Sequence, residues 1–520
     1  GLFFPKSGEF TRFLNQLGFG YLLLNLWETT GGVVIRVSNI NFEMRELLEW
    51  MQSDSLVSHL FSFYASLAMA LFLYGVADRF FIANSAEIEF PILLFFIHVA
   101  SLFTLRLTTF PDLLIALEIV TLASYALAGF ERRNRFSAYA GVQYFILGSI
   151  PSGMLLLSFS LYYRHAGVMT LHDLDLIALH PDISREIRPT ILFSRETLFE
   201  LARLDASPWF VRDRVHPICL SDPDWEMLFT VTSTYSFTVI AAALLLLFNL
   251  LFKLTAAPFH FWAPSVYGKA PIASVTYLSI FSKVLIVFFS FRVLYGFLHP
   301  LEYLLGPVLL FICVLSVFAG MLGAFTENVI KRFYVYSSMG HVGFMLLGLS
   351  LGTLEGASAT FHYLAVYVLS SYLMWLLLLH MGRHKNHLVH FRELKDSEPL
   401  LGLMFALLVF SMSGIPPLGG FFVKLDVMSA LLDESRFYVN YILFFFTVAS
   451  FFYYLRLIKI LFFDATLGDK VFTKPTFAGY GRSVERLWVM VVCFMLLMFY
   501  LFLVQKPLLM LQSEVLAALF

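Results

Sequence analysis

The sequence predicts an all-α protein that crosses a membrane about 12–14 times. Of its 520 residues, 59% are hydrophobic and only 14% are charged, and the mean hydropathy is +0.79. A soluble domain carries about 25% charged residues, so this composition is typical of a polytopic membrane protein. Apolar stretches of membrane-spanning length recur along the chain. They are too long for the strands of a membrane barrel, which span in about 9–11 residues, and they therefore predict helices.

Hydropathy divides the chain into six segments. They are a divergent N-terminal extension at 1–57, transmembrane helices at 58–163, a polar insertion at 164–227, a transmembrane core at 228–463, a loop at 464–485 and a C-terminal transmembrane helix at 486–520. The insertion is unusually long for a connection between helices. We interpret it either as a small extramembrane element or partner-facing arm, or as a tolerated surface insertion.

Two apolar stretches of the core contain helix-breaking residues at membrane depth. One reads TAAPFHFWAP and includes Pro258, and the other reads SMSGIPPLGGFFVK and includes Pro416 and Pro417. Proline removes a backbone donor and displaces a helical hydrogen bond, so both helices are expected to be discontinuous. Two broken helices in separate halves of a transporter indicate inverted repeats around an ion path. The alternative is that these prolines and glycines only permit close helix packing.

Lysines accompany both breaks, and a third lysine lies in an uninterrupted span. Lys253 precedes the first break, Lys424 follows the second, and Lys283 lies inside ASVTYLSIFSKVLIVFFSF. A charge at membrane depth costs roughly 3 kcal/mol on insertion scales, so such residues usually mark ion pathways. Glu118, in the middle of another span, is a hypothetical partner for Lys253. The alternatives are a neutral, hydrogen-bonded Glu118 and a Lys253 side chain that extends to the membrane surface.

Histidines supply two further candidates for proton transfer, because imidazole titrates near neutral pH. His260 lies in the first broken stretch, and His341 lies in KRFYVYSSMGHVGFMLLG. Each is equally compatible with a structural hydrogen bond. A metal site is not expected in the histidine-rich run HMGRHKNHLVH at 380–390, since its arginine and lysine would repel a cation.

Charge and cysteine content argue against several other classes of function. The net charge of -1 disfavours a nucleic-acid partner. The three cysteines, Cys219, Cys313 and Cys493, show no close spacing, which disfavours iron–sulfur clusters and a disulfide framework. The sequence also shows no nucleotide-binding loop or flavin fingerprint. The chain is therefore expected to bind no cofactor or metal itself and to be no autonomous enzyme.

These motifs together resemble the chain 2 family of NADH:quinone oxidoreductase, the antiporter-like membrane subunits of respiratory complex I. The strongest similarity lies in FKLTAAPFHFWAPSVYGKAP at 252–271, KRFYVYSSMGHVGFMLLGL at 331–349 and FSMSGIPPLGGFFVK at 410–424, which follow the family's order. ALEIVTLASYAL and YFILGSIPSGMLLL fit upstream. The resemblance covers most of the chain outside the insertion and the N-terminal extension.

The resemblance implies a proton-translocating subunit with two inverted repeats. It assigns Glu118 and Lys253 to the family's glutamate–lysine pair, Lys283 to the central site, Lys424 to the second broken helix and His260 to the histidine after the first break. It also implies that NADH, flavin, iron–sulfur clusters and quinone are bound by other subunits of a proton-translocating NADH:ubiquinone reductase. The expected partners are the other membrane-arm subunits and lipids.

The sequence departs from the family pattern at two places. Ser265 follows Trp262-Ala263-Pro264 where the family usually has an acidic residue, and Gln143 stands where a lysine is common. Two alternative functions therefore stay open: a subunit of a cation/proton antiporter or membrane-bound hydrogenase, and a scaffold subunit that no longer pumps. The 59 phenylalanines and the large insertion favour the mitochondrial inner membrane, with a bacterial plasma membrane as the alternative.

Overall fold

The structure is a computed structural model, and it describes most of the central part of the chain. The described residues are 89–106, 109–131, 134–166, 237–298, 301–381, 387–392, 394, 399–416 and 418–464. The predicted segments at 1–57 and 486–520 lie outside them, as do residues 58–88, the insertion beyond residue 166, residues 228–236 and the predicted 464–485 loop after Asp464. The six-segment division of the chain therefore stays a prediction.

The described residues are helical and form no β-strand. Within the described residues, twelve α-helices follow one another: α1 Glu89–Arg106, α2 Phe110–Ala128, α3 Arg135–Ala166, α4 Phe237–Leu254, α5 Trp262–Lys269, α6 Ile272–Phe291, α7 Glu302–Thr326, α8 Ile330–Leu349, α9 Leu354–Met381, α10 Pro399–Ser413, α11 Gly419–Asp433 and α12 Phe437–Phe462. A π-helical turn at Arg292–Phe297 continues α6, and a 3₁₀ turn at Leu388–His390 follows α9. The π-turn extends α6 without a break in the chain direction.

Seven of these helices are long and apolar enough to cross a membrane, namely α2, α3, α4, α6, α7, α9 and α12. Shorter apolar segments lie in α1 and α10. The prediction of an all-α polytopic membrane protein is therefore confirmed. Helix α3 continues to Ala166 and so includes the first three residues of the predicted insertion, because Tyr162 and Tyr163 extend its apolar surface before Arg164 and His165.

Burial separates the central helices from the outer ones. The apolar cores of α6 and α9 are 89% and 94% buried, whereas those of α3 and α12 are 28% and 33% buried. The outer helices expose many large apolar side chains, including Phe145 on α3 and Phe444 on α12. Since a lipid-facing surface is apolar, α6 and α9 form the centre of the bundle and α3 and α12 lie at its perimeter.

Close packing inside the bundle depends on small residues. A Cβ atom at Gly320 of α7 would lie 2.8 Å from the backbone nitrogen of Gly340 on α8. Because neither glycine carries a Cβ atom, the two backbones approach as closely as small residues allow in membrane helices. These two helices make the most extensive contact between described elements, which fixes α8 and its His341 against the rest of the bundle.

The two broken helices cross the bundle in opposite directions. The α4–α5 helix ends near Ala270, whose carbonyl accepts a hydrogen bond from Lys331, at an end we call the basic face. The basic face carries Lys269, Lys331, Arg332 and Arg456. The α10–α11 helix instead ends at Asp433, on the opposite end, which we call the acidic face. The acidic face carries Glu302, Glu355, Asp433 and Glu434. Opposed broken helices are what inverted repeats require.

Candidate functional site

The first helix break lies between α4 and α5, and its backbone is satisfied by other parts of the protein. Thr255 adopts a left-handed conformation with φ of 63°. Beyond it, the Ala257 backbone nitrogen donates to the Ser316 hydroxyl at 2.9 Å. The Trp262 indole donates to the Phe252 carbonyl at 3.1 Å. Broken backbone at membrane depth requires such partners, so the interruption expected from Pro258 is part of the fold.

Lys253 and Glu118 lie next to this break. Lys253 is in the last turn of α4, and its ammonium is buried with no hydrogen-bond partner among the described residues. The negative charge of Glu118, on α2, acts on that ammonium. Glu118 Oε2 accepts a 3.2 Å hydrogen bond from Thr121, while the described residues offer no partner to its buried Oε1. Glu118 and Lys253 are thus near enough for their charges to interact, but no hydrogen bond joins them.

The surroundings of Lys253 contain further buried polar atoms. Both side-chain amide atoms of Asn249, one helical turn before Lys253, are buried and have no partner within the described part of the chain. Buried polar groups require hydrogen-bond partners, and water can supply them where several such groups converge. Asn249 and Lys253 therefore form a polar region inside an otherwise apolar part of the bundle.

His260 lies inside the first break and is largely buried. Its ring centroid is 4.3 Å from that of Phe261 and 6.3 Å from that of Tyr336. Its Nδ1 has no hydrogen-bond partner within the ranges described. The structure thus places His260 on the same broken segment as Lys253, between aromatic rings.

Lys283 lies at the centre of the bundle and is only 1% exposed. Its Nζ donates to the Tyr367 hydroxyl at 2.9 Å and lies 5.0 Å from the centroid of that ring. The hydroxyl of Tyr367 in turn donates to the Ser279 carbonyl at 3.2 Å. This ammonium is therefore held inside the protein, away from lipid, by a hydrogen bond to a neighbouring helix.

His341, on α8, connects Lys283 with a network of hydroxyl groups. Its Nδ1 is 2.8 Å from the Tyr363 hydroxyl, and its Nε2 is 3.1 Å from the Tyr454 hydroxyl. The imidazole ring centroid lies 5.7 Å from that of Tyr367, the residue that binds Lys283. Because both ring nitrogens have partners that donate or accept, His341 can take up a proton on one side and release one on the other.

The second break lies between α10 and α11, and there the lysine itself binds the freed backbone. Lys424 donates to the Ser413 carbonyl at 2.8 Å and to the Met412 carbonyl at 3.3 Å. These carbonyls end α10, where the helix dipole is negative and favours a cation. Gly414, with φ of 89°, makes the turn, and its open side faces the lysine side chain.

Lys283, His341 and Lys424 form one buried group. The charges of both lysines act on His341, and Lys424 Nζ lies 5.9 Å from the centroid of Phe344, one turn after His341. The six predicted proton-transfer residues therefore fall into two groups. Glu118, Lys253 and His260 lie around the first break, and Lys283, His341 and Lys424 form a second group that we call the central line. Their roles stay predictions.

The two departures from the family pattern meet in space. The Gln143 side-chain nitrogen donates to the Ser265 hydroxyl at 2.9 Å, although 122 residues separate them in sequence. Nearby, the Lys269 ammonium lies 4.0 Å from the centroid of the Tyr139 ring. A neutral hydrogen bond thus joins α3 to α5 at the two positions where the resemblance led us to expect a lysine and an acidic residue.

Sequence reasoning missed the tyrosines and one histidine–aspartate contact. Tyr363 and Tyr367, four residues apart on α9, share one helix face, and this spacing could have indicated them. His362 Nδ1 lies 2.6 Å from Asp426 Oδ2. No local pattern predicts that contact, because the two residues lie on different helices. The described residues contain no group of three or more potential metal ligands.

Comparison with a known protein family gives a direct assignment. The family model described as NADH:quinone oxidoreductase/Mrp antiporter, transmembrane region, matches residues 108–199 and 224–452, which is more than half of the chain. The chain belongs to this family. The resemblance inferred from the motifs around both helix breaks is thereby confirmed.

Relatives of known name cover most of this family member. NADH-quinone oxidoreductase subunit N of Paramagnetospirillum magneticum is 31% identical over 391 residues, which is 74% of this chain and 70% of the relative. NADH-ubiquinone oxidoreductase chain 2 of Metridium senile is 30% identical over 375 residues, which is 72% of this chain and 83% of the relative. Bacterial and animal relatives are thus similar to this chain to the same degree.

Solved structures with a similar fold include chains of two membrane complexes. A chain of respiratory complex I from Thermus thermophilus has a TM-score of 0.65 at 22% identity and covers 97% of this chain and 99% of its own length. A chain of the Mrp complex from a Dietzia species has a TM-score of 0.72 at 17% identity, with 98% and 93% covered. At these identities the likeness establishes the fold alone.

Proposed function

We propose that this member of the family is a proton-translocating, antiporter-like membrane subunit of NADH:quinone oxidoreductase. One observation carries the proposal: Lys283 is buried at the centre of the bundle and hydrogen-bonded to Tyr367, whose ring lies 5.7 Å from that of His341, and the charges of both Lys283 and Lys424 act on His341. Ionisable residues at this depth are retained for ion or proton transfer. The similarity to subunit N and chain 2 supports NADH:quinone oxidoreductase as the complex in which this transfer takes place.

Proton transfer would begin at the first break. A redox event in another subunit changes the electrostatic field at Glu118, and this changes how tightly Lys253 holds its proton. Moving one charge against 100 mV requires about 2.3 kcal/mol. A hundredfold change in the proton affinity of one lysine corresponds to about 2.7 kcal/mol. Modest displacement of the Glu118–Lys253 pair is therefore a sufficient lever to push a proton through Lys283 towards Lys424.

The proposal includes a direction and a division of labour. Lysine and arginine predominate at the basic face, which by the positive-inside tendency faces the cytoplasm or the mitochondrial matrix. NADH, flavin, iron–sulfur clusters and quinone would be bound by other subunits, and this chain would contribute to the enzyme only as its membrane part. The exposed apolar surfaces of α3 and α12 fit lipid or neighbouring membrane-arm subunits.

The mitochondrial inner membrane is our proposed location for this multi-pass protein. The high phenylalanine content and the insertion support it, and a chain 2 relative from an animal is 30% identical. Similarly close bacterial relatives support a bacterial plasma membrane instead. Fractionation of the source cells, with detection of this chain in isolated mitochondria, decides between the two.

The decisive experiment replaces Lys283 with methionine in the assembled complex. Protons pumped per NADH are measured in proteoliposomes, together with quinone reduction. We expect the proton yield to fall because Lys283→Met removes the central titratable group. The matched control is Lys459→Met, which changes an exposed lysine at the end of α12. An assembled Lys283→Met complex with an undiminished proton yield would establish the scaffold function and refute ours.

A second candidate function is cation/proton antiport. It is favoured by the fold similarity to a chain of the Mrp complex, whose TM-score is higher than that of the complex I chain. The two functions differ in the transported ion. Sodium uptake driven by a pH gradient, without NADH, would support antiport, whereas proton pumping that needs NADH and is independent of sodium would exclude it.

A further inference from the structure

The contact between His362 and Asp426 joins two helices inside the bundle. His362 on α9 is 2% exposed, and its Nδ1 lies 2.6 Å from Asp426 Oδ2 on α11. The Asp426 side chain is mostly buried, at 15% exposed. Acidic and basic side chains are expensive at membrane depth and mark functional sites unless they serve only to join helices. The pair therefore has either a transport role or a clamping role.

A second pair of carboxylates lies towards the acidic face on the same two helices. Glu355 precedes His362 by seven residues on α9, and Asp433 follows Asp426 by seven residues on α11. Seven residues are about two turns, so each helix presents both of its residues on one face. The negative charge of Asp433 acts on the Glu355 carboxyl group, so these two carboxyl groups lie close together at the acidic face.

The His362–Asp426 pair lies next to residues that belong to or contact the central line. Lys424 lies on α11 two residues before Asp426, and Tyr363 on α9 directly follows His362. The Tyr363 hydroxyl is 2.8 Å from His341 Nδ1. On α9, His362 thus contacts Asp426, and the next residue, Tyr363, contacts His341. The His362–Asp426 pair consequently lies between the buried lysine of the second break and the water at the acidic face.

We propose that His362 and Asp426 form the proton outlet of this subunit, from Lys424 to Glu355 and Asp433 at the acidic face. The inference rests on the proposed function. A proton leaves the Lys424 ammonium, passes through water to the His362–Asp426 pair, and from there to the Glu355–Asp433 pair and bulk water. Each transfer breaks one N–H or O–H bond and forms another, and no electron moves.

The test is Asp426→Asn in the assembled complex, with NADH:quinone turnover measured in proteoliposomes that contain an uncoupler. Blocking a positioned proton-transfer group should slow turnover at least about tenfold. Azide, a small weak acid that carries protons, should restore it. The control is Asp464→Asn, which removes the 2.7 Å contact with Arg392 near the basic face and should leave turnover unchanged with or without azide.

A second variant guards against failed assembly of the first. His362→Gln can keep a hydrogen bond to Asp426 but cannot carry a proton. We expect the assembled His362→Gln complex to be slow and to be restored by imidazole. Turnover equal to wild type in either assembled variant would overturn the outlet. Slow turnover that neither azide nor imidazole restores would also overturn it and would leave the pair as a helix clamp.

The outcome is separable from that of the proposed function. A lowered proton yield in Lys283→Met together with wild-type turnover in Asp426→Asn and His362→Gln refutes the outlet and leaves the function standing. An unchanged yield in Lys283→Met refutes the function itself.

Discussion

The two broken helices hold their lysines in opposite ways. At the first break, Ser316 and Trp262 satisfy the freed backbone, and the Lys253 ammonium has no hydrogen-bond partner among the described residues. At the second break, Lys424 itself binds the Met412 and Ser413 carbonyls. The same sequence device, a proline-interrupted helix beside a lysine, therefore gives one lysine that is free of direct bonds and one that is fixed.

This difference suits different tasks. A lysine without direct hydrogen bonds responds strongly to a change in the field of a nearby carboxylate, here Glu118, because little else stabilises its charge. A lysine fixed at a helix C-terminus responds less, since the dipole and two carbonyls stabilise it continuously. The first break is thus suited to sensing events in neighbouring subunits, and the second to holding a proton before release.

The largest effect should come from filling the backbone contact at the second break. A Cβ atom at Gly420 would lie 1.9 Å from the Ser411 carbonyl oxygen, a clash that only backbone movement can relieve. Gly420→Ala should therefore destabilise the α10–α11 helix by about 3 kcal/mol or more. Assembly of the subunit into the membrane complex, measured by native gel electrophoresis, should be lost.

The control for Gly420→Ala is Gly153→Ala on α3, where an added Cβ meets no atom within 4 Å. Alanine is favoured over glycine in a helix by about 1 kcal/mol, so this variant should assemble as well as wild type. Equal assembly of both variants would show that the second break is not closely packed, and the contrast with the first break would disappear.

An intermediate effect should separate the two lysines directly. Lys424→Met leaves two buried carbonyls without their donor, which costs about 1–3 kcal/mol. Lys253→Met removes an ammonium that has no hydrogen bond to lose within the described structure, and Glu118 can take up a proton once that charge is gone, so the loss of stability should be smaller. Thermal denaturation of the purified complex measures the difference, and both variants should lower the proton yield. Equal losses of stability would contradict the contrast.

The smallest effect concerns the acidic face, where the second broken helix ends. Glu302 lies just before Leu304–Thr326, the membrane-crossing part of α7. Burial, and then the negative charge of Glu434, raise the pKa of Glu302 from 4.5 to about 7. The folded state therefore binds this proton more tightly than the unfolded chain. Its stabilisation is complete below about pH 4.5 and is lost as the pH rises to about 7.

Glu302→Gln should abolish this component of the pH dependence, which amounts to roughly 1–3 kcal/mol. The measurement is the denaturation temperature of the purified complex between about pH 5 and pH 8. The variant should gain stability relative to wild type towards the higher pH. An identical pH profile in both proteins would show that Glu302 is not buried against Glu434.

Much of the site could be predicted from the sequence because its signals are local. Pro258 and Pro416 each remove a backbone donor, which favours a break at those positions, and a lysine in an apolar stretch is conspicuous by its desolvation cost alone. For the same reason Lys283 was indicated without knowledge of its partner. The helical character of the bundle follows equally from the length and hydropathy of single segments.

Contacts between helices could not be predicted in the same way. Tyr367 binds Lys283 across 84 residues, and Asp426 contacts His362 across 64. Gln143 and Ser265 each looked like an isolated departure, yet they form one hydrogen bond. Such pairings depend on which faces of two helices meet, and single-segment periodicity carries no information about that.

By itself, the sequence determined where the chain crosses the membrane, where two helices break and which side chains carry charge at depth, because a bilayer penalises each misplaced polar group separately. Only the tertiary structure decided that the Lys253 ammonium has no hydrogen bond among the described residues and lies near Glu118, while Lys424 binds the end of α10. It also decided that the charges of both Lys283 and Lys424 act on His341. These are consequences of packing, since the partner of a buried group is chosen by the neighbouring helix and not by the adjacent residues.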